Sequence, residues 1–178
     1  MGKKEFEALL KKHENKPVEK EIDWDKQKEE WLAFVELFFT SIENWLSPYK
    51  EGGTVSYEYK KIDKNEDYIG HYTADKMLLT FAGQHLSIEP IGTLLIGTKG
   101  RIDMEGSKGL VKFILADKDH SSLRFKVQVT TGGKAQEGQQ RGEPNWTWKI
   151  AVKETRGFTL EEFTEENFFN AVMAIVND

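Results

Sequence analysis

The sequence predicts an α+β fold in which a long, aromatic-rich N-terminal helix and a C-terminal helix accompany a curled antiparallel sheet of about seven strands. Two changes of hydrophobic period indicate this order. Apolar residues recur at helical spacing from Asp23 to Leu46 and then alternate with polar residues between Val55 and Val152. Helical spacing returns from Phe168 onwards. Because the strands are short and separated by turns, they are expected to form a meander or a half-barrel.

The long helix is the clearest predicted element. Its apolar residues follow one another in steps of one and three, which places them on one broad face. They are Trp31, Leu32, Val35, Phe38, Phe39, Ile42, Trp45 and Leu46. Asp23 or Asp25 can cap the first turn, and Ser47-Pro48 is predicted to end the helix. A coiled coil needs three or more heptads, which this helix barely offers, so packing against the concave face of the sheet is favoured. Part of this apolar face is predicted to remain free to contact a partner or a ligand.

The strands are predicted from alternating apolar and polar residues. Five such segments centre on 55–59, 77–81, 86–88, 123–129 and 146–152. Two further stretches, Thr93–Ile96 and Leu110–Leu115, are continuously apolar, which is typical of strands covered on both faces. Turns are predicted at 82–84, 106–109 and 117–120 from their small and polar residues.

The chain is predicted to be one domain preceded by a charged N-terminal segment. Residues 1–22 carry interspersed charges of both signs and are expected to be a partly flexible segment with a helix at 3–15. Residues 23–178 are expected to form the single α+β domain. Within it, residues 131–145 are rich in glycine and glutamine, which predicts a mobile loop. The last helix begins at Thr164, or at Thr159 if a capping box with Glu162 is used.

Composition excludes several classes of protein. The chain has no cysteine, which rules out a disulfide scaffold, a thiolate zinc site and a cysteine nucleophile. It has no apolar run long enough to span a membrane and no signal-peptide pattern, so a soluble cytoplasmic protein is expected. The net charge of −5 argues against nucleic-acid binding, which draws much of its affinity from basic residues. No cofactor and no metal site is predicted.

Two motif-like features fail on inspection. Gly92 and Gly97 have the spacing of a phosphate-binding P-loop, but Thr98 occupies the position of the lysine that reaches the phosphates. Glu58-Tyr59-Lys60 has the Glu-x-Lys form of some metal-dependent nucleases, but the element before it is a helix where those sites need a strand with an acidic ligand. Neither motif therefore identifies a chemistry.

The best candidate site is a polar cluster around Arg101 and Asp103. These residues are two apart on a predicted strand, so they share one face of the sheet. A structural ion pair explains them adequately. Alternatively, they line a ligand-binding site together with Glu89 and His71.

The predicted function follows mainly from what the sequence lacks. The leading hypothesis is a non-catalytic binding or regulatory module that contacts another protein, or a second copy of itself, through a sheet edge or a helix face. The alternative is a small-ligand-binding protein or a hydrolytic enzyme, with the four candidate residues in a polar pocket between helix and sheet. The sequence leaves open whether the protein is an enzyme.

Overall fold

The computed structural model describes residues 2–14, 23–93, 99–117 and 145–177. These residues contain three helices and seven strands: α1 (Gly2–Glu14), α2 (Trp24–Glu51), β1 (Val55–Glu66), β2 (Gly70–Phe81), β3 (Gln84–Gly92), β4 (Gly100–Gly106), β5 (Gly109–Asp117), β6 (Trp146–Glu154), β7 (Gly157–Glu162) and α3 (Glu165–Ala174). Each strand pairs antiparallel with the next, in the order β1 to β7. The sheet is not closed into a barrel, so β1 and β7 are its edge strands. The predicted α+β class is confirmed.

Several predicted segments fall outside the described residues. They are the strand centred on 123–129, most of the continuously apolar stretch 93–96, most of the turn at 117–120, and nearly all of the predicted loop 131–145. The helix predicted at 3–15 corresponds to α1.

Helix α2 forms because its sequence supplies both a cap and a continuous apolar face. The Asp23 carboxylate accepts a hydrogen bond from the Lys26 backbone N–H at 3.1 Å, which satisfies one of the free donors of the first turn. Six residues of the predicted stripe are buried: Trp31, Val35, Phe38, Phe39, Ile42 and Leu46. Burial of each such side chain contributes about 1.5–3 kcal/mol, so the stripe anchors the helix firmly.

The prediction that α2 ends at Ser47-Pro48 is wrong. The helix continues to Glu51 with Pro48 inside it, and Gly52 forms the cap, its N–H bonded to the Pro48 carbonyl at 3.1 Å. Proline lacks one backbone N–H, but in the last turn this loss is limited to a single hydrogen bond. The extended last turn also contacts α3, since the Tyr49 ring meets Phe169 edge-on at 5.9 Å.

Strand β7 is absent from the sequence prediction, which considered Thr159 as a possible helix cap. Thr159 instead pairs with Val152 of β6. Gly157 adopts a φ of 97°, which permits the tight turn that sends the chain back along β6. The helix cap is Thr164, whose hydroxyl accepts a hydrogen bond from the Asn167 N–H at 3.2 Å.

Helices α2 and α3 pack on the same face of the sheet and enclose the core there. The Phe38 ring lies 4.9 Å from Phe113 of β5, and Trp45 lies 5.6 Å from Phe168 of α3. The opposite face of the sheet carries a smaller apolar cluster formed by Ile114, Ala116, Ala151 and Leu160. The sheet therefore has an inner face, covered by the helices, and an outer face.

A buried chain of hydrogen bonds fixes one end of the molecule. The Trp31 indole donates to the Tyr72 hydroxyl at 3.2 Å, and this hydroxyl donates to the Glu66 carboxylate at 2.5 Å. The other Glu66 oxygen accepts from the backbone N–H and the hydroxyl of Thr93, at 2.9 and 2.7 Å. The chain thus joins α2, the β1–β2 hairpin and the end of β3 through satisfied polar groups.

The other end is fixed by the segment that follows α3. The Lys108 N–H, in the turn between β4 and β5, donates to the Ile175 carbonyl at 3.0 Å. Ile175 and Val176 are buried in the core. This contact ties the end of α3 to the turn between β4 and β5.

Candidate binding site

Arg101 and Asp103 lie on the outer face of the sheet. Their neighbours Ile102 and Met104 are fully buried on the inner face, and side chains alternate along a strand. The Arg101 Nη2 donates to Asp103 Oδ2 at 3.0 Å, and Nε lies 2.8 Å from Oδ1 without the alignment of a second hydrogen bond. The two side chains therefore largely neutralise each other.

Glu89 belongs to the same cluster of charges. It is paired across β3 and β4 with Asp103, and Lys112 of β5 is paired with Asp103 on the other side. Lys64 Nζ lies 3.7 Å from the Glu89 carboxylate. Burial raises the pKa of Asp103, against the opposing pull of the Arg101 guanidinium and the Lys112 ammonium. Two carboxylates and their basic neighbours thus form a largely self-compensating row of charges on this part of the sheet.

His71 is not part of this row. It lies near the tip of the β1–β2 hairpin, mostly exposed, with Nε2 3.6 Å from Asp63. The structure therefore brings together Glu89, Arg101 and Asp103 but not His71. The three lie on the face opposite α2 and α3, whereas the predicted polar pocket required them between helix and sheet.

A different concave site lies between α3 and residues of β5, β6 and β7. It is an open groove of about 690 Å³, within the range of small-molecule sites. We call it the α3 groove. It is lined by Lys108, Gly109, Leu110, Val111, Lys112, Ile150, Ala151, Val152, Lys153, Phe158, Glu161, Asn167, Asn170, Ala171, Ala174 and Ile175.

The groove is hollow because small residues stand where the helix meets the sheet. Ala171 and Ala174 are three apart and so share one side of α3. Gly109 lies on the strand side, where a Cβ atom would stand 3.5 Å from Cγ2 of Ile175. The bulkier residues Phe168 and Val172 of α3 are buried in the core, next to Ala171.

The groove has an apolar side and a basic side. Val111, Ile150 and Val152 belong to the inner face, next to α3. Lys112 and Phe158 belong to the outer face by strand alternation, with the Lys112 ammonium 5.6 Å from the centre of the Phe158 ring.

The charges that line the groove contrast with those of the whole chain. Three lysines and one glutamate line it, whereas the chain has a net charge of −5. Two of the lysines, Lys108 and Lys153, are exposed. An occupant with an apolar face and acidic borders would match this distribution.

None of the four predicted site residues lines the α3 groove. The sequence does contain a signal for it, because alanines at 171 and 174 interrupt the bulky apolar residues of the last helix. Without the knowledge that α3 lies next to β5, β6 and β7, however, nothing connects those alanines with Lys108 or Lys153.

Comparison with protein-family models, curated proteins and solved structures gives no match for this chain. Among the described residues, no helix combines the length and hydropathy needed to cross a membrane. Within the same part of the chain, no three histidine, aspartate or glutamate side chains come together as a metal site.

Proposed function

We propose that the protein is a non-catalytic binding module that holds an acidic, amphipathic segment of another protein in the α3 groove. The observation that supports this proposal is that the α3 groove combines an apolar side with three lysines, although the chain as a whole is acidic. Recognition of an amphipathic segment by an apolar groove is a recurring mode of protein–protein binding.

The apolar side would supply most of the affinity. Leu110 and Phe158 are large side chains that remain exposed at the groove. Covering them removes apolar surface from water, which stabilises a complex by about 25 cal/mol per Å². An aromatic residue such as Phe158, in a partly desolvated site, is typical of the residues that dominate binding energy.

The lysines would set orientation and selectivity. Charges at the rim of an interface accelerate association and disfavour partners of the same sign. Such exposed charges are screened by salt, with a Debye length of about 8 Å at physiological ionic strength. Binding through Lys108 and Lys153 should therefore weaken as salt is added, whereas the apolar contribution should remain.

The test is a fluorescence anisotropy titration with a defined probe. The probe is a labelled peptide of about four helical turns, with Phe and Leu at i, i+3, i+4 and i+7 and glutamate at most other positions. A second peptide has lysine in place of each glutamate. We expect saturable, salt-sensitive binding of the acidic peptide and markedly weaker binding of the basic one.

A charge-reversal variant and a matched control locate the binding site. Lys108→Glu with Lys153→Glu should weaken binding of the acidic peptide about tenfold or more. The control, Lys26→Glu with Lys60→Glu, reverses two exposed lysines outside the groove and changes the net charge equally, from −5 to −9 at two units per substitution. The proposal is wrong if both double variants lose the same affinity, or if the two peptides bind equally well.

A further inference from the structure

A side chain of β3 holds the segment that follows α3. The Gln84 Nε2 donates to the backbone carbonyl of Asn177 at 3.0 Å, and the Gln84 Oε1 accepts from the Asn177 backbone N–H at 3.3 Å. One amide side chain thus binds both backbone groups of a residue 93 positions away, as a neighbouring strand would. We call residues 175–177 the α3 tail. The two hydrogen bonds tie the α3 tail to the first residue of β3.

The α3 tail forms part of the wall of the α3 groove. Ile175 lines the groove, and its carbonyl accepts a hydrogen bond at 3.0 Å from the N–H of Lys108, which lines the groove as well. Two glycines make room for this contact. A Cβ atom at Gly106 would collide with the Ile175 carbonyl oxygen, and one at Gly109 would stand 3.5 Å from Ile175 Cγ2. The position of the α3 tail therefore sets how far this end of α3 lies from β5.

Helix α3 lacks the usual means of closing a C-terminal end. Its cap residue is Ile175 rather than a glycine in the left-handed conformation, and its last turn contains no basic side chain. The helix has only 10 residues, and a helix of this length is marginal without tertiary support. Burial of Ile175 and Val176 supplies part of that support. Gln84 supplies a directional part, because its two hydrogen bonds fix the backbone beyond the cap.

We propose that Gln84 is a positioning residue for the α3 groove: it holds the α3 tail in place, so that the groove keeps its binding shape before a partner arrives. This inference rests on the proposed function, because it concerns the same groove. Gln84 is not among the residues that line the groove, so its effect on binding is expected to pass through the α3 tail. A surface fixed in advance binds more tightly, because less conformational entropy is lost on association.

The first test is the affinity of the acidic peptide, measured by fluorescence anisotropy. Gln84→Met keeps a side chain of similar length that cannot form either hydrogen bond to Asn177. We expect the dissociation constant of the peptide to rise about threefold or more. The control is Gln27→Met, which makes the same change in α2, outside the groove, and should leave the affinity unchanged. Equal affinity of wild type and Gln84→Met overturns the inference.

The second test observes the α3 tail directly. The chain has no cysteine, so Asn177→Cys introduces a single site for a nitroxide label. Asn177 is exposed and contributes only its backbone to the bonds with Gln84, so these bonds remain. Gln84→Met should increase the mobility of this label in the electron paramagnetic resonance spectrum. A label at Leu37→Cys, an exposed position of α2, should not respond to that substitution.

Linkage gives a readout that a purely structural contact would not move. If the contact between Gln84 and Asn177 strengthens peptide binding, bound peptide must strengthen that contact by the same factor. Saturating acidic peptide should therefore reduce the mobility of the label at position 177 in the chain that keeps Gln84, and much less in the Gln84→Met chain. A label that is indifferent to the peptide contradicts coupling between Gln84 and the groove.

The two measurements separate failure of this inference from failure of the proposed function. If the label becomes more mobile in Gln84→Met but both chains bind the peptide equally, the groove is a binding site and Gln84 does not position it. If Gln84→Met leaves the label unchanged, Gln84 does not hold the α3 tail, whatever the peptide does. If no chain binds the peptide although the label responds to Gln84→Met, the proposed function itself fails, and the contact is structural only.

Discussion

The Trp31 ring lies directly over Gly100, where a Cβ atom would stand only 2.2 Å from Cζ3 of the indole. Trp31 is fully buried and its Nε1 is bonded to Tyr72, so a displacement of the ring would disturb both the core and this hydrogen bond. Gly100→Ala should therefore force a shift of α2 against β4 and lower the free energy of unfolding by about 3 kcal/mol. Urea denaturation followed by tryptophan fluorescence measures this loss.

The control for that substitution is Gly2→Ala. No atom lies within 4 Å of the Cβ position at Gly2, so the same chemical change should leave the free energy of unfolding within about 0.5 kcal/mol of the wild-type value. Equal stability of the two variants would show that α2 does not press on β4 at Gly100.

Tyr72→Phe should be destabilising although it removes a single oxygen atom. The Tyr72 hydroxyl accepts from Trp31 and donates to Glu66, so its removal leaves a buried donor and a carboxylate oxygen without these partners. Such unsatisfied groups cost about 1–3 kcal/mol. Tyr68→Phe is the control, because Tyr68 is exposed and its ring stacks on Trp24 at 5.0 Å. A Tyr72→Phe variant as stable as Tyr68→Phe would contradict a structural role for this hydrogen-bond chain.

The parts of the fold that the sequence predicts well are those with a strong period. The helical stripe from Trp31 to Leu46 and the alternation in β1, β2 and β6 are set by the need to bury one face, which is a local pattern. The sequence does not predict β7 because the alternation of this strand is weak: Leu160 is buried on the outer face, and most of the other residues of the strand are exposed. Only its pairing with β6 makes it a strand.

In the candidate site too, local sequence spacing predicts some contacts, and strand pairing decides the others. Proximity of Arg101 and Asp103 follows from two-residue spacing on one strand, and their ion pair is present. The register that places Glu89 opposite Asp103, and the distance of His71 from both, depend on how β2, β3 and β4 pair. The α3 groove combines residues more than 60 positions apart in sequence, so no local pattern could have assembled it.

Pro48→Ala should stabilise the protein. Alanine restores the N–H that can bond to the carbonyl four residues earlier, and proline within a helix is about 3 kcal/mol less favourable than alanine. Two effects reduce the gain, since Pro48 lies in the last turn and proline also restricts the unfolded chain by about 0.4–1 kcal/mol. We expect a net gain of about 1 kcal/mol, measured as a higher urea midpoint with an unchanged slope. A loss of stability would mean that Pro48 fixes the direction of the chain between α2 and β1.

Stability should fall in alkali through Tyr72. Burial raises the pKa of the Tyr72 hydroxyl above its ordinary value of 10.0, and the hydrogen bond to the Glu66 carboxylate raises it further. Below about pH 10 both states keep this proton, and the contribution to stability is complete. As the pH rises further, the unfolded chain releases the proton while the folded chain retains it, so the free energy of unfolding decreases.

Tyr72→Phe has no proton to release there, and its free energy of unfolding should decline less steeply than that of wild type between about pH 10 and 11.5. Urea titrations at fixed ionic strength across this range would show the difference, and parallel declines would contradict a raised pKa at Tyr72.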